Sequence, residues 1–286
     1  YQKRFGFEKA YTGYDALLSD PEIEAVYIPL PNALHCEWTI KALEAGKHVL
    51  CEKPLAPTSA DAEKMIAAAQ ANGVLLMEAF AYLHNPLIAA LREELAKGSI
   101  GKVLYVENAF LTSDYKMSNI RMRRDTFGGC TYDLGCYTVS EVLWLLREEP
   151  VDVRATAIFG DNGVDMLTNA LLTFRGGARA SLTCGMTLKT EADERIDRLE
   201  IRGTEGRIVT SAPFNGCGEL SYTMVTEAQS VTRTLYVPQN YRLEVEQFGR
   251  AIDGMERPHV SNDFSLRTAR VTDRILKEIG YREAAL

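Results

Sequence analysis

No CxxC pair joins the cysteines at 36, 51, 130, 136, 184 and 217, and no histidine stands at zinc-ligand spacing beside them. A metal site is therefore not expected, and free cytosolic thiols are. No apolar run reaches the roughly 18 residues that a spanning helix needs. The most apolar stretch, residues 25–34, is broken by Pro29 and Pro31. An excess of basic charge is missing as well: Lys plus Arg is 32 against 39 Asp plus Glu, giving −7. That field repels a phosphate backbone, so nucleic acid is not expected as a partner; with no spanning run a membrane is not expected either, and the free thiols make the expected location cytoplasmic. There are no repeats, low-complexity tracts or Ser/Pro-rich linkers. The opening, Tyr1 to Phe5, carries no charged-then-apolar leader pattern and reads as the middle of a larger unit. What is present is ordinary for a globular protein: 46% hydrophobic and 25% charged residues over 286 positions, enough for two domains at about 150 residues each.

The first eighty residues alternate short apolar runs with helix formers. Ala25 to Ile28, His48 to Cys51 and Val74 to Met77 read as strands; Leu34 to Ala45 reads as a helix, as does the segment capped by Thr58 or Ser59 that stops near Gly73. Strands separated by helices build a parallel sheet with right-handed crossovers. Beyond Asn85 a helix runs to Lys97 and a strand covers Lys102 to Phe110; a second helix follows Asp133, with Val139, Val142, Leu143 and Leu146 on one face. From Val151 the chain turns to strands: Val151 to Phe159, Thr168 to Phe174 joined to Ala178 to Met186 across Gly176-Gly177, then Leu199 to Arg202, Ile208 to Thr210 and Val231 to Val237. Strands without intervening helices mean an antiparallel sheet. Two helices close the chain, Tyr241 to Ile252 and Phe264 to Ile279, the second capped by Ser261 or Asp263. The fold class is thus α/β: a partial Rossmann-type parallel sheet, followed by an α+β domain with a large, mainly antiparallel sheet.

Three segments carry chemistry. Pro29 to His35 puts two prolines, an amide and an imidazole in a strand-to-helix loop, where open α/β sheets bind ligands. A rigid turn with Asn32 capping the helix explains the same residues. Glu52-Lys53-Pro54 again follows a strand, holding Lys53 on a stiff loop; a plain surface lysine is the competing account. In Gly128 to Tyr137 a glycine pair precedes a helix on which Asp133 and Tyr137, four residues apart, share a face. A free phenol has a pKa near ~10, and a neighbouring ammonium lowers it, the service Lys53 would perform for a catalytic Tyr137. A core tyrosine satisfied by Asp133 is the bland account.

Together, PLPNALHCEW, the EKP of Glu52 to Pro54, MEAFAYLHNP at Met77 to Pro86, GGCTYDLGCY at Gly128 to Tyr137 and the YRLEVEQF helix resemble the Gfo/Idh/MocA family of nicotinamide-dependent oxidoreductases. The similarity is greatest to the branch of dihydrodiol dehydrogenases, xylose dehydrogenases and glucose-fructose oxidoreductases, with Tyr137 where many relatives have histidine. The resemblance implies NAD or NADP as cofactor and a sugar, polyol or cyclic diol as substrate. Residues 1–80 would be the remainder of an NAD(P)-binding Rossmann-like domain, and 81–286 a substrate-binding domain that forms a homodimer or higher homo-oligomer through its sheet. Lys53, Asp133 and Tyr137 would be catalytic. Pro29, Pro31, Asn32, His35, Glu52, Lys53 and Pro54 would contact cofactor, and His84, Arg121, Arg123 and Tyr137 would contact substrate. In the oxidising direction Tyr137 would take the hydroxyl proton, with Lys53 bonded to the same oxygen and Asp133 orienting the substrate.

One departure stands beside the match. The family's GxGxxG turn, roughly 50 residues' worth of βαβ unit with its flanks, has no counterpart; every glycine cluster lies downstream, and Tyr1 to Tyr11 resembles the end of a second βαβ unit. A chain physically beginning at Tyr1 would hold the dinucleotide weakly and be inactive. The alternative class is a non-catalytic sugar-sensing or scaffold module that has lost the cofactor fingerprint. A third reading keeps the cofactor but uses transient oxidation to drive elimination or glycoside cleavage.

Overall fold

In the computed structural model, which describes residues 2–113, 115–188 and 195–281, two short helices, α1 (Gln2–Phe5) and α2 (Tyr14–Leu18), precede a parallel sheet. That sheet is β1 (Ala25–Ile28), β2 (His48–Glu52) and β3 (Leu76–Ala79) in the order 1-2-3, crossed over by α3 (Asn32–Glu44) and α4 (Ser59–Asn72). Val26 pairs with Val49 and Val49 with Leu76. The third strand starts two residues later than its apolar run suggests, with Leu75 contributing its carbonyl to Val49 N–H at 2.8 Å from just outside it. The run is continuous because the strands are covered on both faces. Val49 and Cys51 join a core with Leu43 and Met65 of the crossover helices, whereas Leu50 and Met77 face the second domain's core. Thr58 caps α4 by accepting from Asp61 N–H, and Gly73, at φ 65°, ends it in the left-handed conformation that glycine adopts without a Cβ penalty.

After β3 come α5 (Pro86–Ala96), β4 (Val103–Ser113), a π-helical turn at Thr131–Gly135 and α6 (Cys136–Leu146). The strands β5 (Pro150–Phe159), β6 (Asp165–Phe174), β7 (Arg179–Leu188), β8 (Arg195–Gly203), β9 (Gly206–Thr210), β10 (Gly218–Thr226) and β11 (Ser230–Val237) follow, then α7 (Asn240–Ile252) and α8 (Asn262–Glu278), the last capped by Ser261. The eight strands β4 to β11 form one sheet, ordered 11-10-9-8-4-7-6-5, antiparallel except where β4 runs parallel to β7. Asp133 therefore precedes α6 in a widened turn instead of sharing a regular helix with Tyr137. The strand β10 escapes the sequence reading because Glu219, Ser221 and Thr223 alternate with its apolar residues beside a glycine cluster. Helices cover one face of the large sheet. Among the described residues, no helix is long and apolar enough to cross a membrane.

Candidate active site

The first strand's exit loop, the turn after β2 and the π-helical turn converge on a cleft of about 300 Å³ whose lining includes Pro29, Asn32, Glu52, Lys53, Arg121, Asp133 and Tyr137. The Lys53 Nζ donates to the main-chain oxygen of Asp133 at 2.8 Å and to its Oδ1 at 2.9 Å. Arg121 Nε lies 2.8 Å from Asp133 Oδ2, so the carboxylate sits between two cations. Burial works against its charge, but Lys53 and Arg121 outweigh burial and hold the carboxyl below its ordinary range. Burial likewise works to lower the Lys53 ammonium, and Asp133 more than offsets it, so Lys53 stays charged.

Tyr137, on α6, is 8% exposed, its ring within an aromatic box of Phe80, Tyr82, Phe110 and Phe214. Lys53 Nζ stands over the ring face, 4.8 Å from the centroid. Lys53 acts on the phenol in the expected direction, but a larger effect opposes it. Burial raises the phenol's pKa more than the Lys53 charge lowers it, leaving Tyr137 above its ordinary range. The Lys53 ammonium donates to Asp133 and stands over the ring face of Tyr137.

The glycine pair is required by close approach. A Cβ on Gly128 would lie 2.4 Å from the Arg121 carbonyl oxygen, and one on Gly129, at φ +103°, would lie 2.0 Å from Asp165 Oδ1. Asp165, itself fully buried, accepts through Oδ2 from Thr131 N–H at 2.8 Å, from the Thr131 hydroxyl at 2.6 Å and from the Thr168 hydroxyl at 2.8 Å. This carboxylate thereby pins the start of the turn that presents Asp133.

The remaining predicted residues divide. Asn32 is the first residue of α3 and does not cap it; its Nδ2 donates across the cleft to the Phe127 carbonyl at 2.8 Å. Glu52 accepts from the Tyr27 hydroxyl and, at 3.2 Å, from Lys53 N–H. Pro31 stands at the N-terminal boundary of α3. His35 does not line the cleft: it is fully buried, its Nδ1 2.8 Å from the Pro54 carbonyl and its Nε2 2.8 Å from the Leu30 carbonyl, tying the two strand-exit loops together. The substrate contact expected of His84 is not found, because its ring lies tilted against that of His259, centroids 4.9 Å apart, and His259 in turn lies tilted against Trp144. Nor does Arg123 reach the cleft; it pairs with Asp125 on the surface, its side chain 52% exposed. Tyr27, Tyr241 and Thr126 line the cleft and Asn215 touches Tyr137, and sequence reasoning missed all four.

Open parallel sheets take ligands outside the carboxyl ends of their strands, and β1 and β2 deliver Pro29, Asn32, Glu52 and Lys53 there. An ammonium, a carboxylate and a buried phenol suit the nicotinamide end of a dinucleotide. Among the described residues, neither strand-to-helix turn carries the glycines that would let a pyrophosphate approach a helix N-terminus. Fold and site together define a two-domain dinucleotide-dependent oxidoreductase. Residues 1–80 match the oxidoreductase family with an NAD-binding Rossmann fold, and residues 88–209 match the GFO/IDH/MocA C-terminal domain. The chain belongs to the Gfo/Idh/MocA family. It is 34% identical to D-xylose 1-dehydrogenase (NADP+) 2 of Haloferax volcanii, over 94% of this chain and 82% of that one. A 3-ketoreductase of Actinomadura kijaniata, solved with NADP and TDP-benzene, superposes with a TM-score of 0.86 at 31% identity, over 97% and 85% of the two chains. The aldose-aldose oxidoreductase of Caulobacter crescentus, solved with glycerol, gives 0.88 at 26% identity, over 100% and 86%.

Proposed function

We propose that this protein moves a hydride between a nicotinamide dinucleotide and a carbinol or carbonyl carbon of a sugar, polyol or cyclic diol, with Tyr137 exchanging the proton at the substrate oxygen. The observation that carries the reading is the array of Lys53, Asp133 and Arg121 beside the buried ring of Tyr137 at the sheet's carboxyl edge. When bound, NAD or NADP supplies or accepts the hydride. Pro29, Asn32, Glu52 and Lys53 flank its nicotinamide end, while Pro31, His35 and the buried Pro54, whose carbonyl faces His35, shape the loops that do so. The ammonium of Lys53 attracts negative charge developing on the Tyr137 and substrate oxygens. Asp133 keeps that ammonium in place, and the guanidinium of Arg121 offers its remaining N–H groups to neighbouring hydroxyls. The test is formation of NADH or NADPH, followed at their absorbance, with a panel of D-xylose, D-glucose, levoglucosan and glycerol. Tyr137→Phe and Lys53→Met are each expected to lower kcat by about 10²–10⁴. Wild-type turnover in either variant sinks the assignment.

A homodimer formed through the uncovered face of the large sheet is part of the proposal. On that face Ile158, Leu167, Gly185, Leu111 and Ile196 form one cross-strand row, with Ile158 62% and Ile196 45% exposed. A flat apolar row of this kind favours burial against a second copy. Ile158→Arg should convert a dimer to a monomer by light scattering; an unchanged mass refutes the interface. The free cysteines among the described residues support a cytoplasmic setting.

A further inference from the structure

The turn between β9 and β10 sets Asn215 against the Tyr137 hydroxyl. Its Nδ2 lies 3.2 Å from Tyr137 Oη and 3.3 Å from Tyr241 Oη. Its φ of +60° is the left-handed conformation, which asparagine and aspartate tolerate better than other non-glycine residues. The turn is braced from both sides. On β8, Asp197 is 7% exposed, pairs with Arg195 and accepts from Phe214 N–H at 2.8 Å, while Arg195 Nη2 donates to the Phe214 carbonyl at 3.3 Å. Gly216 N–H closes the turn on the Pro213 carbonyl at 2.8 Å, and Asn240, at the start of α7, donates to the Gly216 carbonyl at 3.1 Å. A left-handed asparagine over-determined in this way, touching the phenol, points to a role in the site.

An amide nitrogen carries two hydrogens, one for each phenol oxygen here. With its oxygen already accepting from Asn215, Tyr137 must aim its own O–H elsewhere, and the cleft with Lys53, Arg121 and Asp133 is the open side. We infer that Asn215 is a positioning residue for the proton transfer: it holds Tyr137 Oη as an acceptor, so that the phenolic O–H addresses the substrate oxygen, and it stabilises the phenolate form once the proton has left. The inference rests on the functional reading above and adds a residue to it. The reverse amide orientation, with the oxygen accepting from both phenols, would turn the Tyr137 proton away from substrate.

Two variants separate these arrangements, and both residues tolerate the left-handed backbone. Asn215→Gly removes the amide; Asn215→Asp leaves only acceptors, to which Tyr137 would donate its proton. With D-xylose and NADP+ as probe, Asn215→Gly should lower kcat about tenfold with KM within about twofold, the loss of one hydrogen bond to a group that gains charge. Asn215→Asp should lower it further, about a hundredfold. Independently of cofactor and sugar, the ¹³Cζ resonance of Tyr137, assigned with Tyr137→Phe, should move downfield in Asn215→Asp as the phenol becomes a donor. Wild-type kcat in Asn215→Asp, or an unmoved Tyr137 resonance, overturns the inference. A wild-type protein inactive on every sugar tested overturns the functional reading instead, and the resonance then still decides which way the hydrogen bond between Asn215 and Tyr137 runs.

Discussion

Replacing Asp133 by asparagine keeps the size of the side chain and strips the charge that holds two cations together. The Lys53 and Asp133 side chains are each 10% exposed, and at 2.9 Å their gross attraction is about 6 kcal/mol for an effective dielectric of ~20. Losing one partner of a buried pair typically costs ~3–5 kcal/mol. The cost is smaller here: Lys53 keeps the main-chain oxygen of residue 133 as an acceptor, and the Arg121 side chain, 38% exposed, can turn to water. A destabilisation of ~2–3 kcal/mol follows, or a Tm lower by roughly 3–5 °C for a chain of 286 residues. The pH dependence has a definite sign. A carboxyl whose folded pKa is lowered contributes stability that is full above its unfolded pKa of ~3.9 and is lost as pH falls through the folded value. The gap between wild type and Asp133→Asn is therefore widest near neutrality and closes below about pH 4. Urea unfolding followed by tryptophan fluorescence from about pH 7 down to about pH 3 measures it. Equal stability at neutral pH, or a gap of constant size across the range, would refute the reasoning.

Gly129→Ala should destabilise by at least ~3 kcal/mol and lower soluble yield, since the new methyl would strike Asp165 Oδ1 in a left-handed backbone; a urea midpoint near that of wild type contradicts this. Glu244 is buried on α7, and burial first, then Glu52, pushes its pKa up to about 8. A group with a raised folded pKa contributes stability held below its unfolded value of ~4.3 and lost as pH rises through about 8. Glu244→Gln should accordingly gain on wild type in thermal melts as pH rises through that window, and parallel curves would exclude the effect.

The route from sequence to site was legible where local chemistry fixed it. Apolar runs ending in Pro29 and Glu52 located the carboxyl edge of a parallel sheet, and the glycine pair before Asp133 marked a close approach. What local pattern could not carry was burial and distant partnership. Tyr137 lies above its ordinary pKa because four aromatic rings from three distant segments exclude water from it, and nothing near it in sequence announces them. Asn215 stands in an Asn-Gly turn signal, but its partner is 78 residues away. The family resemblance implies a substrate contact for His84, yet a short 3₁₀ turn, Ala81–His84, sets it against His259. The parallel pairing of β4 with β7 likewise depends on a strand inserted between others far along the chain.

The resting protonation of Tyr137 gives the two reaction directions different pH behaviour. Burial keeps the phenol protonated, and Lys53, facing the ring, opposes burial without prevailing. Of the three N–H donors of the ammonium, Asp133 takes two through its main-chain and side-chain oxygens. The third is left for a substrate oxygen. A carbonyl entering the cleft would meet a phenol that already holds the proton it needs and a cation to stabilise the alkoxide forming on it. Oxidation of an alcohol at the same site must first, or at the same moment, remove a proton from a phenol that resists losing it. Reduction by NADPH should therefore stay nearly level between about pH 6 and 8, while oxidation by NADP+ should rise with pH over that interval, up to about tenfold per unit if deprotonation precedes hydride transfer. Single-turnover rates in both directions, taken at matched saturation, separate the two. An oxidation rate as level as the reduction rate would show that the phenol does not carry the proton.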